Sequence, residues 1–169
     1  MRRPEFNRRN AMQRRYAAIA LSVALMLVIG VLVVVKTSAL RPATVRLLPN
    51  DAKVLARGET VYRNRCTPCH GQQLEGQPDW RTRGADGLLP APPHDETGHT
   101  WHHADELLFR ITKYGLAAAI NDGTYKSSMP AFESTLSDDE IVAVLSWIKS
   151  TWPPSVRAHN DEINAPIKP

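Results

Sequence analysis

The chain holds two cysteines, Cys66 and Cys69, separated by two residues and followed at once by His70 in the stretch RCTPCHGQQLEG. Cysteines at this spacing serve as a disulfide, as half of a zinc site, as a redox dithiol or as the attachment point of a haem, and each choice demands a different fold around them. A zinc site built on four cysteines, or on three cysteines and a histidine, needs more cysteines than the chain has. One built on two cysteines and two histidines would have to borrow from the cluster His94, His99, His102 and His103. A thioredoxin-like dithiol needs a strand–helix–strand context, and no convincing alternating strand pattern is present. A disulfide and a haem attachment site stay open.

The compartment narrows the choice. Residues 1–15 carry six arginines against one glutamate, and Tyr16 to Val35 is a run of twenty residues without a formal charge. As a helix that run is about 30 Å long, the thickness of a bilayer's hydrocarbon core. Lys36, Arg41 and Arg46 follow more sparsely, so the positive-inside rule predicts a cytoplasmic segment 1–15, a transmembrane anchor 16–35 and an exported remainder. A cleaved signal peptide is the alternative; the run is long for one, and KTSALRPA offers only a weak small-residue cleavage site.

Charge follows the same division. Residues 1–49 hold nine basic and one acidic residue, a balance of +8; residues 50–169 hold twelve basic and sixteen acidic, a balance of −4. The basic character belongs to the anchor region, and no nucleic-acid-binding motif accompanies it, so nucleic acid is not an expected partner. Residues 36–49, between the apolar run and Pro49, read as a connector. Residues 50–152 have the helical pattern and turn density of one small domain, and 153–169, opening on Pro-Pro and poor in large apolar side chains, read as an extended or disordered tail.

Within 50–152 three helices are predicted. The first starts at Asn50 or Asp51 and runs towards Cys66, with Val54, Leu55, Val61 and Tyr62 as its apolar stripe. Gly58 lies in its middle, where glycine costs about 1 kcal/mol against alanine and so asks for a close helix neighbour. The second covers His103 to Tyr114 and ends at Gly115. The third opens on the capping box Ser137-Asp138-Asp139-Glu140 and presents Ile141, Val144, Leu145 and Ile148 on one face, with Trp147 beside them. Gly71 to Gly98 is rich in Gly, Pro and Asp and reads as a loop, long enough that something other than its own secondary structure must hold it.

The pattern C-x-x-C-H is the signature of covalent c-type haem: two thiols one helical turn apart meet the two vinyl groups, and the adjacent histidine ligates iron. That assigns covalent attachment to Cys66 and Cys69 and one axial position to His70. For the other, Met129 is the sole methionine beyond the apolar run, and the proline after it biases its backbone to an extended form. A histidine from the 94–103 group, or Met129 as mere loop packing, is the alternative. With both axial positions filled, iron can only change oxidation state, and a thioether ligand raises its potential.

On these residues the chain resembles a membrane-anchored, monohaem class I cytochrome c over residues 50–152. Cys66, Cys69 and His70 match the attachment motif, Met129-Pro130 the distal-ligand motif, and Gly58 and Tyr62 the glycine and aromatic of the first helix. The resemblance implies an all-α fold of three main helices around one covalent haem c, here after a single N-terminal transmembrane helix. It implies that the first helix crosses the last, against the face of Val144, Trp147 and Ile148. It implies a proline-segment carbonyl accepting from the proximal histidine, for which Pro92 is favoured over Pro90 and Pro93. Tyr125, Arg81 and Arg83 are candidates for the haem propionates. The implied activity is one-electron transfer rather than enzymatic turnover. The implied place is the outer face of a bacterial inner membrane, with the haem domain periplasmic. The implied partners are a quinol-oxidising complex and a terminal oxidase or dehydrogenase. A fixed subunit of such a complex, a peroxidatic enzyme, a haem sensor and a metal-handling protein using the 94–103 histidines are the other readings.

Overall fold

A computed structural model describes Tyr16, Ile19 and residues 21–30 and 45–165. The chain divides into two compact units, 1–43 and 44–169. In the first, the described residues are helical, and Leu21, Val23, Leu25, Met26, Leu27, Val28 and Ile29 are all exposed. No helix among the described residues is long and apolar enough to cross a membrane. The basic segment 1–15, the rest of the expected anchor 16–35, connector residues 36–44 and tail residues 166–169 lie outside the described residues.

The second unit is helical, with no strand among the described residues. Its order is α1 (Ala52–Arg65), α2 (Thr67–His70), a 3-10 turn (Thr100–His102), α3 (Asp105–Tyr114), α4 (Leu116–Ala119), α5 (Asp138–Thr151) and α6 (Pro154–Ile163). Helix α1 begins at Asp51, whose carboxylate accepts the backbone N–H groups of Lys53 (2.9 Å) and Val54 (3.1 Å). Two donors that the first turn cannot satisfy internally are thereby paired, a cap worth about 1 kcal/mol. Helix α5 begins with the full capping box: Ser137 accepts from the Glu140 N–H and the Glu140 carboxylate accepts from the Ser137 N–H. Helix α3 ends where Gly115 turns to φ 84°. It starts two residues later than the sequence predicts, because His103 and Ala104 are extended (ψ 146° and 147°).

The packing of α1 on α5 organises the unit. Val61 and Tyr62 from α1 meet Ile141, Val144, Leu145 and Ile148 from α5 in the core, all at most 7% exposed. Each such aliphatic side chain contributes about 1.5–3 kcal/mol when fully buried. Gly58 sits where the helices touch. A Cβ there would fall on the Ala143 carbonyl oxygen and 2.8 Å from the Trp147 Cβ. The glycine therefore admits the last helix as the resemblance implies, at the backbone of Ala143 and the Cβ of Trp147.

Two segments differ from their sequence reading. Residues 45–49, expected as the end of a free connector, belong to this unit. Leu47 is 4% exposed and its N–H donates to Asp105 Oδ2 (3.1 Å), while the Leu48 N–H donates to Ser146 Oγ (2.9 Å). The tail, expected to be extended or disordered, forms α6 instead. Pro154 starts it, at a position where a missing N–H costs nothing. Val156 packs against the core, but the rest of its docking is polar, which is why apolar content did not reveal it. Asn160, wholly buried, donates through its amide to the carbonyls of Trp101 and His103 (2.9 Å each). Asp161 Oδ1 lies 2.7 Å from the buried Lys149 ammonium, which also sits 3.5 Å from Asp105 Oδ1. The Asp105 N–H donates to Asn164 Oδ1 (2.8 Å).

Candidate functional site

Cys66, Cys69 and His70 lie at the junction of α1 and α2. The Cys66 N–H ends α1 by donating to the Tyr62 carbonyl (2.9 Å), and the Cys66 carbonyl accepts from Cys69 (3.1 Å) and His70 (2.9 Å). One turn thus presents both sulfurs and the imidazole. The cysteines are not joined to each other; Cys66 is half-buried and Cys69 exposed. Burial, and then the neighbouring Cys69, pushes the Cys66 thiol up to about 11. Tyr62 braces the turn from beneath. Its hydroxyl, 1% of the residue being exposed, donates to the carbonyls of Gly71 (3.0 Å) and His70 (3.3 Å). Burial, followed by the charges that Cys66, Glu75 and Asp95 would carry, holds its ionisation well above the ordinary phenol range.

His70 is 7% exposed, and its Nδ1 lies 2.8 Å from the Pro92 carbonyl oxygen. A carbonyl only accepts, so Nδ1 carries the proton and the lone pair belongs to Nε2. Of the three prolines in LPAPPHD, Pro92 is the one in this position. The loop delivers it through backbone pairing. Gln77 N–H donates to Ala91 O and His94 N–H to Leu74 O, both at 2.8 Å, which draws 91–94 alongside 74–77. Gly76 makes the approach possible: at φ 67°, a Cβ would lie 2.6 Å from the Pro92 carbonyl carbon. This bracing answers how so long a loop is held. Burial lowers the His70 pKa, opposed by the bond to Pro92.

The sequence groups His94 with three other histidines, yet in the fold its ring stacks on that of His70, with centroids 3.9 Å apart and planes 23° from parallel. Burial above all, then the charges of His70 and His99, holds its pKa well below the ordinary value. The other histidines go elsewhere. His99 stacks on Trp80 (5.2 Å), and His102 stacks on Trp101 (3.5 Å) with His159 at their edges. Among the described residues no group of three or more His, Cys, Asp or Glu is arranged to hold a metal ion.

Met129 is half-buried in the loop between α4 and α5, its N–H donating to Ser127 Oγ (3.1 Å). The propionate candidates separate. Arg81 lies over the Trp80 ring (4.0 Å), whereas Arg83 lies over Tyr125 (5.6 Å) and donates to the Gly87 carbonyl (2.7 Å).

The sequence model of the family described as Cytochrome c matches residues 55–152, more than half of the chain. The chain belongs to the cytochrome c family. Membership brings covalently attached haem c, one group for the one domain, and haem-based electron transfer; members are usually electron carriers. No solved structure matches the chain. The donor set of this cytochrome fits the group. Two thiols and an imidazole share one turn, and with Nδ1 of that imidazole protonated towards Pro92 its Nε2 keeps the lone pair that a metal ligand needs.

Proposed function

We propose that this cytochrome is a one-electron carrier with His70 and Met129 as the axial ligands of a single haem, tethered to the outer face of a bacterial inner membrane. The observation that carries the reading is the 2.8 Å contact of His70 Nδ1 with Pro92 O directly after Cys66 and Cys69. It prepares one nitrogen as a ligand and fixes its tautomer. When bound, the haem supplies a reversible ferric–ferrous couple. The chain's own part is to supply the two thiols for covalent attachment, to hold the imidazole by Pro92, and to offer Met129 as a thioether that favours ferrous iron.

Replacement of Met129 by alanine tests this. The variant is expected to keep its covalent haem, lose reduction potential and bind carbon monoxide in the ferrous state. An unchanged potential with no carbon monoxide binding would assign the distal position to another residue.

The tether rests on the twenty uncharged residues, the six-arginine flank and the exposed apolar side chains of 21–30. Because residues 45–49 are pinned to the haem domain, at most nine residues, 36–44, separate it from the expected anchor, a reach of about 30 Å at full extension. The domain then stays close to the membrane, at high effective concentration towards a quinol-oxidising complex and a terminal oxidase or dehydrogenase. In fractionated cells the haem-stained, full-length protein should remain with membranes through a high-salt wash and be cut by protease added to spheroplasts. A shortened, soluble haem protein would overturn the tether.

A further inference from the structure

We propose that His94 is a positioning residue that sets the plane of the His70 imidazole; this rests on the reading of His70 as the iron's ligand. A single hydrogen bond from Nδ1 to Pro92 O holds one atom of the ring but leaves it free to tilt about that contact. A flat surface against the ring face removes the remaining freedom, and the His94 ring, 3.9 Å away and 23° from parallel, is that surface. A plate of this kind works only if it is itself held, and His94 is held at three points. Its backbone N–H donates to Leu74 O (2.8 Å). Its carbonyl accepts from Trp152 Nε1 (2.8 Å), at the end of α5. Its ring Nδ1 lies 2.8 Å from Thr100 Oγ1, a hydroxyl on a residue only 5% exposed. Tyr62 meets the same ring edge-on, with centroids 6.4 Å apart and planes at 70°, while its hydroxyl reaches the His70 carbonyl. An apolar side chain would fill the space beside His70. A histidine whose ring nitrogen is tied to a buried hydroxyl also has a defined plane, and passes that plane on.

The plane of an axial imidazole decides which porphyrin directions its π orbital mixes with, so orientation is readable in the ferric protein from the spread of the haem methyl proton resonances, and in the reduction potential. The experiment compares the full-length holoprotein with His94→Ala, His94→Phe, Thr100→Val and His70→Ala. In His94→Ala and Thr100→Val the methyl spread is expected to change and the potential to shift, while the iron stays low-spin. His94→Phe, which keeps a flat ring, should return part of the wild-type spread. Thr100→Val changes volume little and removes only the hydroxyl that aligns His94, so it decides the matter if His94→Ala folds poorly. A wild-type spread in Thr100→Val and in any folded His94→Ala, with His70→Ala having lost the wild-type spectrum, removes the positioning role alone. A wild-type spectrum in His70→Ala removes the ligand assignment and the positioning role together.

Discussion

A chain carrying both Cys66→Ala and Cys69→Ala is expected to lose covalent haem and, with it, the cooperative fold of residues 45–165. The physical ground is the shortage of apolar material. The core of this unit draws on α1, α3 and α5 with a few residues beside them, and the long segment from Gly71 to Gly98 contributes Leu74 and Pro93 as its buried apolar side chains. A domain of this size buries a small enough share of its surface that it sits near the margin of stability. A ligand that binds the folded state alone supplies the difference, and one held by two covalent bonds cannot be diluted away. His70 is buried and its partner His94 half-buried beside the attachment turn, so polar rings occupy a place where a larger core would put apolar side chains. The measurement is circular dichroism of the double variant through a thermal scan. Low helicity and a broad, featureless melt are expected. A sharp transition with the helix content of the holoprotein would show that the protein core suffices without haem.

Replacement of Gly58 by leucine is expected to cost more than about 3 kcal/mol, at the upper end of overpacking effects. The contact is with backbone and cannot be relieved by a rotamer change: the Ala143 carbonyl carbon would lie 2.6 Å from the new Cβ. The helices must therefore separate, and the apolar burial of Val61, Tyr62, Val144 and Ile148 between them is weakened along the whole seam. Alanine at the same position gives the sharper comparison. In an exposed helix the change from glycine to alanine stabilises by about 1 kcal/mol. Here the sign is expected to reverse, because alanine's Cβ already meets the Ala143 carbonyl. Denaturant midpoints of the two variants, with the slope unchanged, give both numbers. A stabilised Gly58→Ala would mean that α1 does not touch α5 at this point.

Local chemistry made much of this molecule legible without coordinates. Asp51 and the Ser137–Glu140 box announce helix starts because their side chains pair backbone donors within three residues, and Gly115 announces an end because glycine takes φ 84° freely. The attachment turn is legible for the same reason: three residues of spacing set the geometry of Cys66, Cys69 and His70, and no distant contact is needed. Gly58 signals that something approaches closely, since a mid-helix glycine has a cost that only a neighbour can offset.

The resemblance names that neighbour as the last helix; which of its atoms lies there, and much else, emerges only in the folded chain. The Ala143 backbone, the pairing of 74–77 with 91–94 that brings Pro92 to His70, and the stacking of His94 on the imidazole all join residues far apart in sequence or separated by irregular chain, where no periodicity carries information. The same holds for the residues that read as connector and tail. Leu47 and Leu48 are held by Asp105 and Ser146, and α6 is held by Asn160, Asp161 and Asn164 against partners on the 3-10 turn, α3 and α5. Those contacts are hydrogen bonds and an ion pair to the buried Lys149, and a polar residue announces no partner in its own sequence neighbourhood. The attachment turn and the three principal helices follow from the order of residues, because their causes are local. Which ring lies against His70, and which partners hold the terminal segment, are matters of long-range burial, which makes a polar contact worth forming and which no short stretch of chain encodes.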